Sequence, residues 1–166
     1  EQGATLLQIS RIERDYKVRE QRLDEARAKF KQFILAQPDH ALASKANRQR
    51  GNVLVQRARI RLSEGKLSSN SARKPQLLSQ ARDYFAQAYK VFQSAEADTR
   101  SRLEEIPKVI DPKSDRDRWQ IREQLREDHI EAQMASAMIL HESATSAPSE
   151  EKKHAQFKKA AAAYEK

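Results

Sequence analysis

Four histidines and no cysteine are the whole stock of imidazole and thiolate ligands in this 166-residue chain. Their spacing sets the first limit on its chemistry. Glu151 and His154 stand three apart, the spacing with which one helix face contributes to a di-iron centre. Such a centre needs a second pair and two more glutamates on facing helices, and no second Glu-x-x-His occurs. A solvated helix face is therefore the expected role of Glu151 and His154. His141-Glu142 lacks the second histidine of a helical zinc-protease motif, and His40 belongs to a proline turn. No Gly-x-Ser-x-Gly elbow and no glycine-rich phosphate loop is present. The acidic pairs Glu104-Glu105 and Glu150-Glu151 fall at expected helix ends, where solvation explains them. The chain reads as non-enzymatic, with neither metal nor cofactor.

The remaining chemical feature is charge. The net +8 is carried by one stretch: residues 41 to 75 hold nine basic groups and one acidic group, and the other segments are close to neutral. Lys45, Arg48, Arg50, Arg57, Arg59, Arg61, Lys66, Arg73 and Lys74 could neutralise phosphates, with steep salt dependence, or meet an acidic protein or an anionic surface. At about 100° per helical residue, Lys45, Arg48 and Arg59 fall on one side and Arg50, Arg57 and Arg61 nearly opposite. That is the pattern of a helix sandwiched between neighbours with two solvated flanks, not of a single basic groove.

Helices are expected to carry these residues. Three glycines, five prolines and a wealth of Ala, Gln, Glu, Lys, Arg and Leu suit long helices. No segment alternates as a half-buried strand would. The 38% apolar and 34% charged residues would permit disorder if scattered, but the apolar ones recur in threes and fours, so the chain reads as an ordered all-α domain. No apolar run approaches the roughly 18 residues of a membrane span.

From Ala4 to Gln37 neither glycine nor proline intervenes, and Ile9, Ile12, Tyr16, Leu23, Ala26, Phe30 and Phe33 form one stripe. This predicts one long helix, or two nearly collinear ones joined near Val18 to Gln21. Pro38 ends it, Asp39 or His40 caps the next helix, and that helix runs from Ala41 to about Glu64, where Gly65 stops it. Residues 65 to 74 read as a loop. Pro75 opens a helix carrying Leu78, Ala81, Phe85, Ala88, Phe92 and Ala95 and reaching Glu105. Its aromatic part, Tyr84, Phe85, Tyr89 and Phe92, is the heaviest apolar cluster. After a turn with Pro107 and Pro112, Ser114 or Asp115 caps a fourth helix with Trp119, Leu125, Ile130, Met134, Met138 and Leu140. A last helix follows Pro148 and carries Phe157, Ala160, Ala161 and Tyr164. The first and last residues look like those of a piece cut from a longer chain, with the end near Phe157 and Tyr164 packing on a further repeat.

A repeated spacing links the second members of these helix pairs. Ala26, Phe30 and Phe33 are spaced like Ala81, Phe85 and Ala88, and like Lys153, Phe157 and Ala160. With Pro38, and with Ala41, Leu42, Ala43, Ala46 and Gly51-Asn52 after it, this stretch resembles the tetratricopeptide repeat (TPR) family, and its boundary is similar to those of bacterial cell-envelope members. The offsets of 55 and 72 residues between the matched positions exceed the family's usual repeat length, and no proline closes the second repeat.

The resemblance implies an irregular antiparallel array of about five long helices and a non-enzymatic scaffold that holds a protein or peptide. By the same analogy a small residue at Gly51 lets helices approach. The first helix of each pair lines the inner groove, which makes Asn47, Arg50, Leu54, Arg57 and Arg61 the candidate partner-binding residues. A generic antiparallel bundle of purely structural role fits the same heptad-like steps.

Overall fold

Side-chain caps on three helices and prolines in three of the connections divide this chain into its elements. The computed structural model describes residues 1–38, 40, 42–69 and 72–165. These form six helices: α1 Gln2–Ile12, α2 Tyr16–Ala36, α3 Ala43–Leu67, α4 Arg73–Glu104, α5 Arg116–Ala144 and α6 Glu150–Tyr164. No strand occurs among the described residues, and the all-α fold is as the sequence predicts.

The expected single rod before Pro38 is two helices. Glu13 Oε1 accepts from the amides of Arg14 and Asp15 at 2.8 and 3.0 Å, and Asp15 Oδ1 accepts from those of Lys17 and Val18 at 2.7 and 3.2 Å. A carboxylate cap thus restarts the helix without any breaker residue. The two helices are not collinear: α1 folds back on α2. Ile12, read as part of the apolar stripe, falls at this corner and is 81% exposed. Ile9 and Tyr16 are exposed as well.

Beyond Pro38 the chain reverses as the sequence predicts, and α3 packs antiparallel on α2. His40 Nδ1 accepts from the Leu42 amide at 3.0 Å, and its ring meets Phe33 edge-on at 5.4 Å. Asp39 as an alternative cap and Ala41 as the helix start lie outside the described residues. Gly65 does not end α3, and no glycine has positive φ. A Cβ there would sit 3.1 Å from Leu78 Cδ2 of α4, so Gly65 serves close helix packing instead of a cap.

Each helix packs on the next, and α3 alone also touches α1 and α5, whereas α2, α4 and α6 do not touch one another. Two apolar clusters meet at α3. Ala46, Val53 and Ile60 join Leu7, Leu23, Ala26 and Phe30 on one side; Leu54, Val55 and Ala58 join Phe85, Ala88, Phe92 and Ile139 on the other. The approach at Gly51 is to α4, where an added Cβ would lie 2.6 Å from Phe92 Cε2. On α5 the expected stripe is shifted: Ile130 and Met134 are exposed, and Asp128, Ala132, Ser136, Ile139 and Ser143 face inward. Asp115 and Ser149 cap α5 and α6, accepting from Arg118 and Lys152 amides.

Candidate functional site

Asn47, Arg50, Leu54, Arg57 and Arg61 share one strip of α3, which faces the furrow where α2 and α4 stand apart. Its two halves differ. In the half nearer the end of α3, Arg57 is buried, pairs with Asp24 of α2 and lies 5.8 Å from the Tyr84 ring centroid of α4. Arg61 pairs with Glu20 of α2 and with Glu64 on its own helix. Burial alone pulls its guanidinium pKa down, but the hydrogen bonds and attraction of Glu64 and Glu20 outweigh that and raise it. In the other half, Arg50 donates to Asn47 Oδ1 at 3.2 Å and reaches no carboxylate among the described residues.

The opposite flank of α3 is also neutralised. Arg48, only 4% exposed, donates to Asp128 at 2.7 Å and to Glu131 at 3.0 Å on α5. Gln124 supports Asp128 at 3.0 Å. Arg59 donates through Nε to Glu142 at 2.8 Å and through Nη2 to its second oxygen, and this fork raises the Arg59 pKa. The sequence places the two sets of arginines on opposite sides of the helix. What it leaves out is the carboxylates waiting there, so Arg48, Arg57, Arg59 and Arg61, expected on solvated flanks, are ion-paired between helices.

Two concavities lie beside these residues. A groove of about 230 Å³ is lined by Arg27 of α2, Arg50 and Leu54 of α3, and Gln87, Lys90 and Val91 of α4. Arg27 and Lys90 carry no motif; Lys90 has no acidic residue three or four positions away, and the one beside Arg27, Asp24, is taken up by Arg57. A larger cleft of about 670 Å³ opens between α1, α2 and the start of α3. Phe30, Phe33, Ala36, Leu42 and Ala46 form its apolar walls, with Lys29 and Lys45 on its lining. Gly3, on the lining, lets α1 lie against Phe30 of α2, since a Cβ on it would approach the ring to 2.9 Å.

The histidines do not converge. His154 and Glu151 are exposed on α6, His141 stacks edge-on against Phe157 at 5.2 Å, and His129 faces Thr99 at 3.2 Å. Among the described residues no three His, Cys, Asp or Glu side chains are placed to hold a metal, and no helix is long and apolar enough to cross a membrane. No family model, curated protein or solved structure matches the chain.

Proposed function

We propose that this protein is a non-enzymatic interaction module, a TPR-like helical array that holds an amphipathic helix of another protein in the cleft between α1, α2 and α3. The observation that carries this reading is the cleft itself: about 670 Å³ of open space walled by Phe30, Phe33, Ala36, Leu42 and Ala46. Each large apolar side chain buried there would contribute about 1.5–3 kcal/mol, and Lys29 and Lys45 suit a partner helix whose outer face is acidic. The antiparallel pairing of α2 with α3 and the close approach at Gly51 support the likeness to TPR proteins. Nucleic-acid binding through residues 45 to 74 has less support, because Arg48, Arg57, Arg59 and Arg61 already face carboxylates.

Peptides selected from a displayed random library, measured by fluorescence anisotropy against the parent and Ala36→Arg, test the reading. Ala36 is exposed, so the arginine fills the cleft without touching the core. Selected peptides should be apolar on one helical face and should weaken by about tenfold or more on Ala36→Arg, a loss of at least ~1.4 kcal/mol. Binders indifferent to Ala36→Arg would place docking elsewhere, and a purely structural bundle would yield none.

A further inference from the structure

We infer that the groove formed by Arg27, Arg50 and Lys90 is a second recognition site, one that takes a glutamate or aspartate side chain from an acidic segment of a partner protein. It shares no lining residue with the apolar cleft, so it stands or falls independently of that cleft. Three cations on three different helices converge on one small cavity, and among the described residues no carboxylate pairs with any of them. Elsewhere on α3 the opposite holds. Arg48, Arg57, Arg59 and Arg61 each meet a carboxylate from a neighbouring helix. A like-charge cluster is unfavourable unless a counter-charge arrives, and in a protein whose other α3 arginines are matched from within, that counter-charge comes from outside.

The chemistry of the groove narrows the occupant. Leu54 and Val91 give it an apolar part against which methylene groups can pack, and the Gln87 amide adds a neutral donor. A volume of about 230 Å³ holds an acidic side chain and little more. A polyanion needs a run of cations along its backbone, but further along the furrow the positive charge is cancelled: Asp24 faces Arg57, and Glu20 and Glu64 face Arg61. One localised cationic site with an apolar wall fits a carboxylate on a peptide and not a nucleic-acid strand. Arg50, partly fixed by Asn47, is poised for two-pronged contact with the carboxylate, with Arg27 and Lys90 closing in from either side.

The probes are a fluorescein-labelled peptide rich in Glu and Leu, its Gln-for-Glu counterpart, and a single-stranded oligonucleotide of equal net charge, titrated at low and at physiological salt. The glutamate peptide should bind about tenfold or more tightly than its glutamine counterpart and weaken as salt rises. Arg50→Glu and Lys90→Glu should each abolish that preference, Arg50→Lys should keep only part of it, since an ammonium keeps the charge and loses the fork, and Lys108→Glu, in the exposed loop between α4 and α5, should leave it unchanged. Lys90 is exposed, so its variant tests the site even if Arg50→Glu perturbs folding. Equal binding of the glutamate and glutamine peptides, tighter binding of the oligonucleotide, or a preference that survives Lys90→Glu in a folded protein would overturn the assignment.

Discussion

Asp128→Ala should be among the most damaging single changes in this chain. It leaves the Arg48 guanidinium at 4% exposure with one acceptor instead of two. Removing one member of a buried ion pair costs about 3–5 kcal/mol. Glu131 remains 3.0 Å away, but its side chain is 68% exposed and competes for water, so the lower end applies, about 3 kcal/mol. At about 2–4 °C per kcal/mol for a chain of this size, the melting temperature should fall by about 6–12 °C. Removing both charges is different in kind. Arg48→Met with Asp128→Leu fills the space with apolar atoms and should lie within about 1 kcal/mol of the parent, or above it. Urea titration by far-UV circular dichroism of Asp128→Ala, and of the four members of the Arg48→Met/Asp128→Leu cycle, measures both quantities. A cost for Asp128→Ala below about 0.5 kcal/mol, the level of an ordinary surface change, would refute the buried-pair reasoning. So would a double variant as unstable as the sum of the singles.

Three further changes test other contacts. Gly51→Ala gains about 1 kcal/mol of helix propensity, but its Cβ would meet the Phe92 ring, which is 2% exposed and hemmed in. With about 1–3 kcal/mol of overpacking, the balance should be destabilising, read as a lowered urea midpoint. Asp15→Ala removes the α2 cap and should cost about 0.5–2 kcal/mol; thermal melts check this, and no loss would show that the Glu13–Asp15 corner does not set the helix break. Arg100→Ala breaks a pair whose side chains are 74% and 70% exposed, and its stability by the same urea assay should stay within about 0.5 kcal/mol of the parent.

Composition and helical spacing made the all-α class and the buried faces of α2 and α4 legible, because Leu23, Ala26, Phe30, Ala81, Phe85, Ala88 and Phe92 are apolar residues doing what period predicts, and Pro38 marked the reversal. The division between α1 and α2 was not legible from breaker residues, since it is made by carboxylates accepting backbone amides. Gly65 misled for a related reason: a helical glycine can serve packing as well as termination, and only the neighbouring Leu78 tells which. On α5 the inward face mixes Leu125, Ala132 and Ile139 with Asp128, Ser136 and Ser143, so hydropathy marks only part of that face and Ile130 and Met134 turn outward. The strip from Asn47 to Arg61 was found from one helix alone. Apart from Glu64, three residues after Arg61, which of its members stay open depends on Asp24, Glu20, Arg27 and Lys90, residues 20 or more positions away in sequence, and no local pattern encodes that pairing.

Guanidinium-resolved NMR of an arginine-labelled sample asks most directly whether the positive charge of α3 is held inside the array. Arg48 and Arg57, buried and paired with Asp128 and Asp24, should show separate, slowly exchanging Nη protons, whereas Arg27 and Arg50, beside the open groove, should show averaged, fast-exchanging ones. Averaged signals from Arg48 and Arg57 alike would contradict it, returning the whole basic face of α3 to solvent.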